Sequence, residues 1–159
     1  AYEIRNCHWS SDVCSSDLSA FAAPAYAGVP VTHRQHTSAF TVVAGHTCEP
    51  GAPHLDWDVL ARVSTLVVLM GLGQLGRIVS TLRSHGRSAC TPVAVVSCAS
   101  GAEQRVVRGT LENIVGRATG LRPPATIVIG EAAGLGDRRT HRGSSRRQPG
   151  TPGRFDAEQ

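Results

Sequence analysis

Lysine is missing altogether: all 16 basic side chains are arginine, and the formal net charge is +4. Six of these arginines lie beyond Asp137, so the basic character belongs partly to the carboxy-terminal segment. Aromatic residues make up only 4% of the chain. So few rings argue against a base-stacking surface for nucleic acid, and small aliphatic residues fill Ser19 to Leu135 instead, which suits buried strands flanked by helices. No run approaches the roughly 18 apolar residues of a membrane span, and the first residues lack the apolar core of a signal peptide. A cytoplasmic setting is expected, with neither membrane nor nucleic acid as a partner. Cys7, Cys14, Cys48, Cys90 and Cys98 contain no C-x-x-C pair. Only Cys90 with Cys98, or Cys48 between His46 and His54, approach a ligand spacing, so no metal centre is expected and the thiols read as buried or incidental.

At 159 residues the chain is long enough for one domain with a core of its own. Residues 1–18 are set apart from it. "AYEI" and "WSSDVCSSDL" back-translate in one reading frame to a common sequencing-library adapter, with Arg5 and Asn6 where a variable index would sit. This segment is expected to be disordered and outside the fold. From Ser19 the pattern is readable. "SAFAAPAYAG" suits a short helix that ends at Gly28 and Pro30. "AFTVVAGH" reads as a buried strand, and Asp56 is placed to cap a short helix through Val63. "TLVVLM" is a second strand. Leu75, Ile78, Val79 and Leu82 then recur at helical spacing, with Gly86 as terminator. "PVAVVS", "QRVVRG" and "ATIVIGE" complete the strands, and "TLENIVGRA" reads as a helix with Leu111, Ile114 and Val115 on one side. The alternation predicts an α/β layer fold with roughly five strands in one sheet flanked by helices. Residues 136–159, rich in Arg, Gly and Pro, are too poor in apolar side chains to offset their ordering entropy and are expected to be disordered.

Gly71, Gly73 and Gly76 stand between a strand and a helix, which is the outline of a dinucleotide-binding turn. Such a site needs a carboxylate about 20 residues further on to hold the ribose hydroxyls. Here no Asp or Glu occurs between Asp58 and Glu103. A nicotinamide-dependent oxidoreductase would require that missing carboxylate. A noncatalytic binding module would require a partner for the lone domain or its tail.

Ordered blocks point elsewhere: "SAFAAPAYAGVPVTHR", "FTVVAGH", "TLVVLMG" followed by "RI", "TPVAVV", "QRVVRGTL" and "GLRPPATIVIGE". Together they resemble the uroporphyrinogen-III C-methyltransferases, within the tetrapyrrole methylases, from Ser19 to about Leu135. The resemblance implies a two-lobed enzyme whose cleft holds S-adenosylmethionine. Its amino-terminal lobe carries a Gly-rich loop with an aspartate and a G-G-D-P segment, neither of which occurs here. Residues 19–135 therefore correspond to the carboxy-terminal lobe, which is expected to be inactive alone. In the complete enzyme the resemblance implies a homodimer. Its reaction transfers a methyl group from the sulfonium to ring carbons of uroporphyrinogen III, giving precorrin-2 on the route to sirohaem and cobalamin.

By position, the resemblance assigns cofactor contacts to Ser19, Ala20, Met70, Ala99, Pro124 and Ala125. Leu18 stands where the family usually has threonine, and "SCAS" departs from the family's Asn-Gly or similar pair near Ala99. Thr32, His33 and Arg34 match the family's T-H-R, and Arg34 suits substrate carboxylates because its planar fork binds them bidentately. No catalytic residue is assigned to this segment. A sulfonium is already an activated donor, so the protein's work is alignment and exclusion of water.

Overall fold

The structure, a computed structural model, describes residues 12–45 and 55–138. Valine, isoleucine and leucine concentrate in short runs that become strands, of which the three central ones are covered on both faces. The segment Phe40–Ala44, expected to be a buried strand, lies at the sheet edge and is only half-buried, with Val42 40% exposed. β1 (Phe40–Ala44), β2 (Thr65–Leu69), β3 (Pro92–Ser97), β4 (Arg105–Thr110) and β5 (Ala125–Gly130) form one five-stranded sheet in the order β1-β2-β5-β3-β4. β1 and β2 pair in parallel, β5 is antiparallel to both β2 and β3, and β4 is antiparallel to β3. The amino end of β5 thus arrives between the carboxyl ends of β2 and β3. Thr126 lies opposite Leu69 on one side and Val96 on the other, and Ala125 lies opposite Ser97.

Alternation along the strands divides the core. Leu66, Val68, Val93, Val95, Ile127 and Ile129 face α2 (Trp57–Arg62), α3 (Leu75–Ser84) and α4 (Ile114–Arg117), through Leu60, Ile78, Leu82 and Ile114. Val67, Leu69, Ala94, Val96 and Val128 face the opposite way, toward α1 (Asp12–Tyr26) and the chain after it, through Ala20, Ala23, Ala27 and Val29. Each fully buried Leu, Ile or Val contributes roughly 1.5–3 kcal/mol, which makes the three central strands the most stable part of the lobe.

Local signals act where expected. Asp56 Oδ1 accepts the Val59 N–H at 3.1 Å and caps α2. Gly86 takes φ 87° just past α3, where the Arg87 N–H closes onto Leu82 O at 3.0 Å. Four expectations need correction. The helix from "TLENIVGRA" shrinks to α4, because the Leu111 and Glu112 N–H groups donate to Thr91 O and Ala89 O and so leave the helical ladder. Val115 is 44% exposed and does not join Leu111 and Ile114 in the core. Order also continues past Leu135, as a 3-10 helix over Glu131–Arg138 that buries Ala132 and Ala133. At the other end α1 begins at Asp12, so the boundary placed at residue 18 falls within a helix. Residues 1–11 and 139–159, and His46, Cys48 and His54, lie outside the described residues.

One cation holds several chain segments together. The Arg87 guanidinium donates to the carbonyls of Leu60, Ala61 and Val63 at the end of α2, the closest being Val63 O at 2.9 Å. It also reaches Ser64 O and, in β5, Ile129 O. Burial pushes its pKa below the ordinary arginine value, an effect that Glu131 opposes. The group stays charged, since arginine does not deprotonate at ordinary pH.

Candidate functional site: a cleft at the strand ends

Among the described residues three that bear side chains adopt left-handed backbone conformations: Met70 (φ 53°), Cys98 (φ 49°) and Ser100 (φ 65°). Met70 and Cys98 follow directly on the carboxyl ends of β2 and β3, and Ser100 comes two residues after Cys98. Such conformations cost on the order of 1–3 kcal/mol each and cluster where a fold shapes a ligand site. Here they turn the chain sharply as it leaves the sheet. The corner after β3 is tied to the entry of β5: the Cys98 N–H donates to Pro124 O at 2.8 Å, and Ser97 Oγ donates to Arg122 O. The Pro123–Pro124 peptide bond is cis.

A cleft of about 1340 Å³ opens at this end of the sheet. It exceeds the roughly 300–1,000 Å³ of a closed small-molecule pocket. Of the residues assigned to the cofactor, Ser19, Met70, Ala99, Pro124 and Ala125 line it. Met70 is 58% exposed on this wall and takes no part in the core of this chain. Ala20 does not line the cleft: it is 1% exposed and packs with Val67 and Leu69, one step inward on α1. Ser19 O accepts a 3.5 Å hydrogen bond from Thr126 Oγ1, which anchors α1 to β5 beside the cleft.

Position alone did not point to Tyr26, Leu72, Thr119 and Leu121, which also line the cleft. Leu72 adjoins the quoted Met-Gly pair and Leu121 lies in the quoted block "GLRPPATIVIGE", in the loop before β5, but neither carried an assigned role. That loop reaches the site because β5 runs antiparallel between β2 and β3.

Thr32, His33 and Arg34 occupy a tight turn in which the His33 N–H donates to Thr37 O and Thr37 Oγ1, at 3.1 and 2.8 Å. None of the three lines the cleft. The turn leads into β1, whose first residue pairs with Thr65 at the opposite end of β2 from Met70. The structure therefore separates this triplet from the strand-end wall.

The glycines have distinct reasons. A Cβ at Gly71 would stand 2.7 Å from Val68 Cγ1, so packing demands glycine there. At Gly73 a Cβ would meet nothing within 4 Å, because the position faces the cleft. A dinucleotide fold would set β2 and β3 side by side in parallel. Antiparallel β5 lies between them instead, which removes the nicotinamide reading.

The chemistry of the wall is one-sided. Among the described residues no charged side chain lines it, and the polar side chains that do are the hydroxyls of Ser19, Tyr26, Ser100, Thr119 and Thr126. Leu69, Leu72, Val96, Val115 and Leu121 suit a flat heterocycle and a thioether, whereas nothing on this wall can counter a ligand's charge. Among the described residues no group of three or more His, Cys, Asp or Glu could hold a metal ion. Cys90 and Cys98 are free thiols.

Fold and geometry together define an α/β lobe whose described residues form an uncharged cleft at the strand ends. A family profile described as "Tetrapyrrole (Corrin/Porphyrin) Methylases" matches residues 19–115. An S-adenosyl-L-methionine-dependent uroporphyrinogen III methyltransferase of Methanosarcina barkeri is 46% identical over 132 residues, covering 79% of this chain and 51% of that protein. A sirohaem synthase of Sodalis glossinidius is 45% identical, covering 77% of this chain and 26% of its own length. Among solved structures, the uroporphyrin-III C-methyltransferase of Thermus thermophilus complexed with S-adenyl homocysteine matches with a TM-score of 0.60 and 35% identity, over 69% of this chain and 49% of that one. The chain belongs to the tetrapyrrole methylase family. It spans about half the length of the M. barkeri relative and about a quarter of the sirohaem synthase.

Proposed function

We propose that this chain is the carboxy-terminal lobe of an S-adenosylmethionine-dependent uroporphyrinogen-III C-methyltransferase and forms the apolar wall of its cofactor cleft. The observation that carries the reading is the convergence of Met70, Ala99 and Pro124–Ala125 on one uncharged cleft, each delivered by a strand end. When bound, the cofactor supplies an activated methyl group. The lobe's residues orient the adenosine and the sulfur and keep water from the donor. A wall without carboxylates leaves the ribose hydroxyls and the sulfonium charge to the lobe absent from this sequence, where the family carries its aspartate and G-G-D-P segment.

Uroporphyrinogen III is the proposed substrate and precorrin-2 the product. Arg34, exposed on its turn outside the cleft, is assigned with Thr32 and His33 to carboxylates at the substrate's periphery, not to the methyl donor. The complete enzyme is proposed to be a cytoplasmic homodimer. No described helix is long and apolar enough to cross a membrane.

Because a cleft needs both walls to order its ligand, the chain alone is expected to be inactive and to bind S-adenosylhomocysteine with a Kd on the order of 1 mM. Titration of the ¹⁵N-labelled chain should move the amides of Met70, Leu72, Ala99 and Ala125, while NAD moves none of them. In a protein rebuilt with the second lobe, Met70→Asp should weaken binding by roughly ten- to a hundredfold, the effect of an unpaired carboxylate on a confined wall. Aspartate tolerates left-handed φ well, so this variant should fold. A chain that responds to NAD and not to S-adenosylhomocysteine would sink the proposal.

A further inference from the structure

The left-handed corner that presents Ala99 and Ser100 is closed by a residue outside the cleft. Within the corner the Gly101 N–H donates to Cys98 O at 3.3 Å, and the Gln104 N–H to Gly101 O at 3.1 Å. The Gln104 side chain completes it. Oε1 accepts the Ser100 N–H at 2.9 Å, and Nε2 donates to Tyr26 O at 3.4 Å. Ser100 and Tyr26 both line the cleft, whereas Gln104 lines a neighbouring cavity of about 440 Å³. One amide thus joins the β3 corner to the end of α1, two parts of the same wall far apart in sequence. The side chain fits because it offers an acceptor and a donor at once, and the amide orientation shown satisfies both partners.

We infer that Gln104 is a positioning residue for the cofactor cleft: by holding the Ser100 N–H and the Tyr26 carbonyl it keeps the Cys98–Ser100 corner in its left-handed form and sets the spacing between that corner and α1. The inference rests on the reading of the cleft given above. Glutamate at this position keeps the acceptor for Ser100 but puts an oxygen against the Tyr26 carbonyl. Methionine, of similar length, keeps neither bond.

The test uses the ¹⁵N-labelled chain with S-adenosylhomocysteine as probe, in the original and in Gln104→Met and Gln104→Glu. Hydrogen exchange at the Ser100 amide, read without ligand, should approach the rate of an unprotected amide in Gln104→Met and accelerate much less in Gln104→Glu. A corner formed for only about a tenth of the time raises the Kd for the probe roughly tenfold in Gln104→Met, with a smaller rise in Gln104→Glu. Thermal unfolding midpoints close to the original's would separate this effect from a general loss of fold. Unchanged exchange at Ser100 in Gln104→Met would overturn the inference whatever the ligand does. Faster exchange with unchanged affinity would overturn the role in the site and leave the cofactor reading intact. Absence of any response to the probe by the original chain would sink the cofactor reading, and the role of Gln104 in the cleft with it.

Discussion

Replacing Gly71 and Gly73 by alanine, one at a time, should give opposite outcomes although the two residues stand two apart in the same turn. At Gly71 the new methyl would lie 2.7 Å from Val68 Cγ1, 3.1 Å from Ile78 Cδ1 and 3.2 Å from Ile127 Cδ1. These neighbours are 1%, 0% and 0% exposed, so they have little room to yield. Forcing a methyl into a filled core costs about 1–3 kcal/mol. For a domain of this size that lowers Tm by roughly 4–8 °C per kcal/mol. Gly45→Ala should be worse, because its methyl would come within 2.3 Å of the Gly71 Cα and the backbone itself would have to move. At Gly73 nothing lies within 4 Å, and alanine reduces the freedom of the unfolded chain, so the change should be neutral or stabilising by up to about 1 kcal/mol. Urea unfolding followed by circular dichroism measures all three, and an unchanged m-value would show that each variant exposes the same surface on unfolding. If Gly71→Ala stays within about 0.5 kcal/mol of the original, or Gly73→Ala matches its loss, the packing account of these glycines fails.

Arg87→Met should destabilise the lobe by about 1–3 kcal/mol in the same urea assay, since charged hydrogen bonds to the carbonyls of α2, Ser64 and β5 are lost together. Arg87→Lys should recover only part of that, because a single ammonium cannot reach carbonyls spread over three segments; full recovery would show that charge alone matters. Asp56→Ala should cost about 1 kcal/mol through loss of the Val59 cap, and faster exchange should be confined to the first turn of α2.

Local instructions were legible wherever a few neighbouring residues settle the outcome. The apolar runs of β2, β3 and β5, the stripe Leu75, Ile78, Val79 and Leu82, the Asp56 cap and the Gly86 stop each act within one or two turns of chain. The segment Thr110–Ala118 misled because the amides of Leu111 and Glu112 are claimed by Thr91 and Ala89, partners that only the fold brings near. Val115 belongs to the cleft for the same kind of reason, although its spacing matched a core face. Ala20 shows the reverse: its place beside Ser19 suggested the ligand, but successive helix positions point about 100° apart, and the sheet claimed its side of α1.

The sequence by itself determined the family through its ordered blocks, the α/β class through alternating periods of two and 3.6 residues, and the lack of a ribose carboxylate through simple absence. Only the tertiary structure decided the order of the strands. Strand order depends on which apolar edges bury most surface together, a sum over distant segments that no local pattern encodes. Inserting β5 antiparallel between β2 and β3 decided the site, because it set Pro124 and Ala125 beside Met70 and Ala99 and left β2 and β3 unable to form a dinucleotide fold.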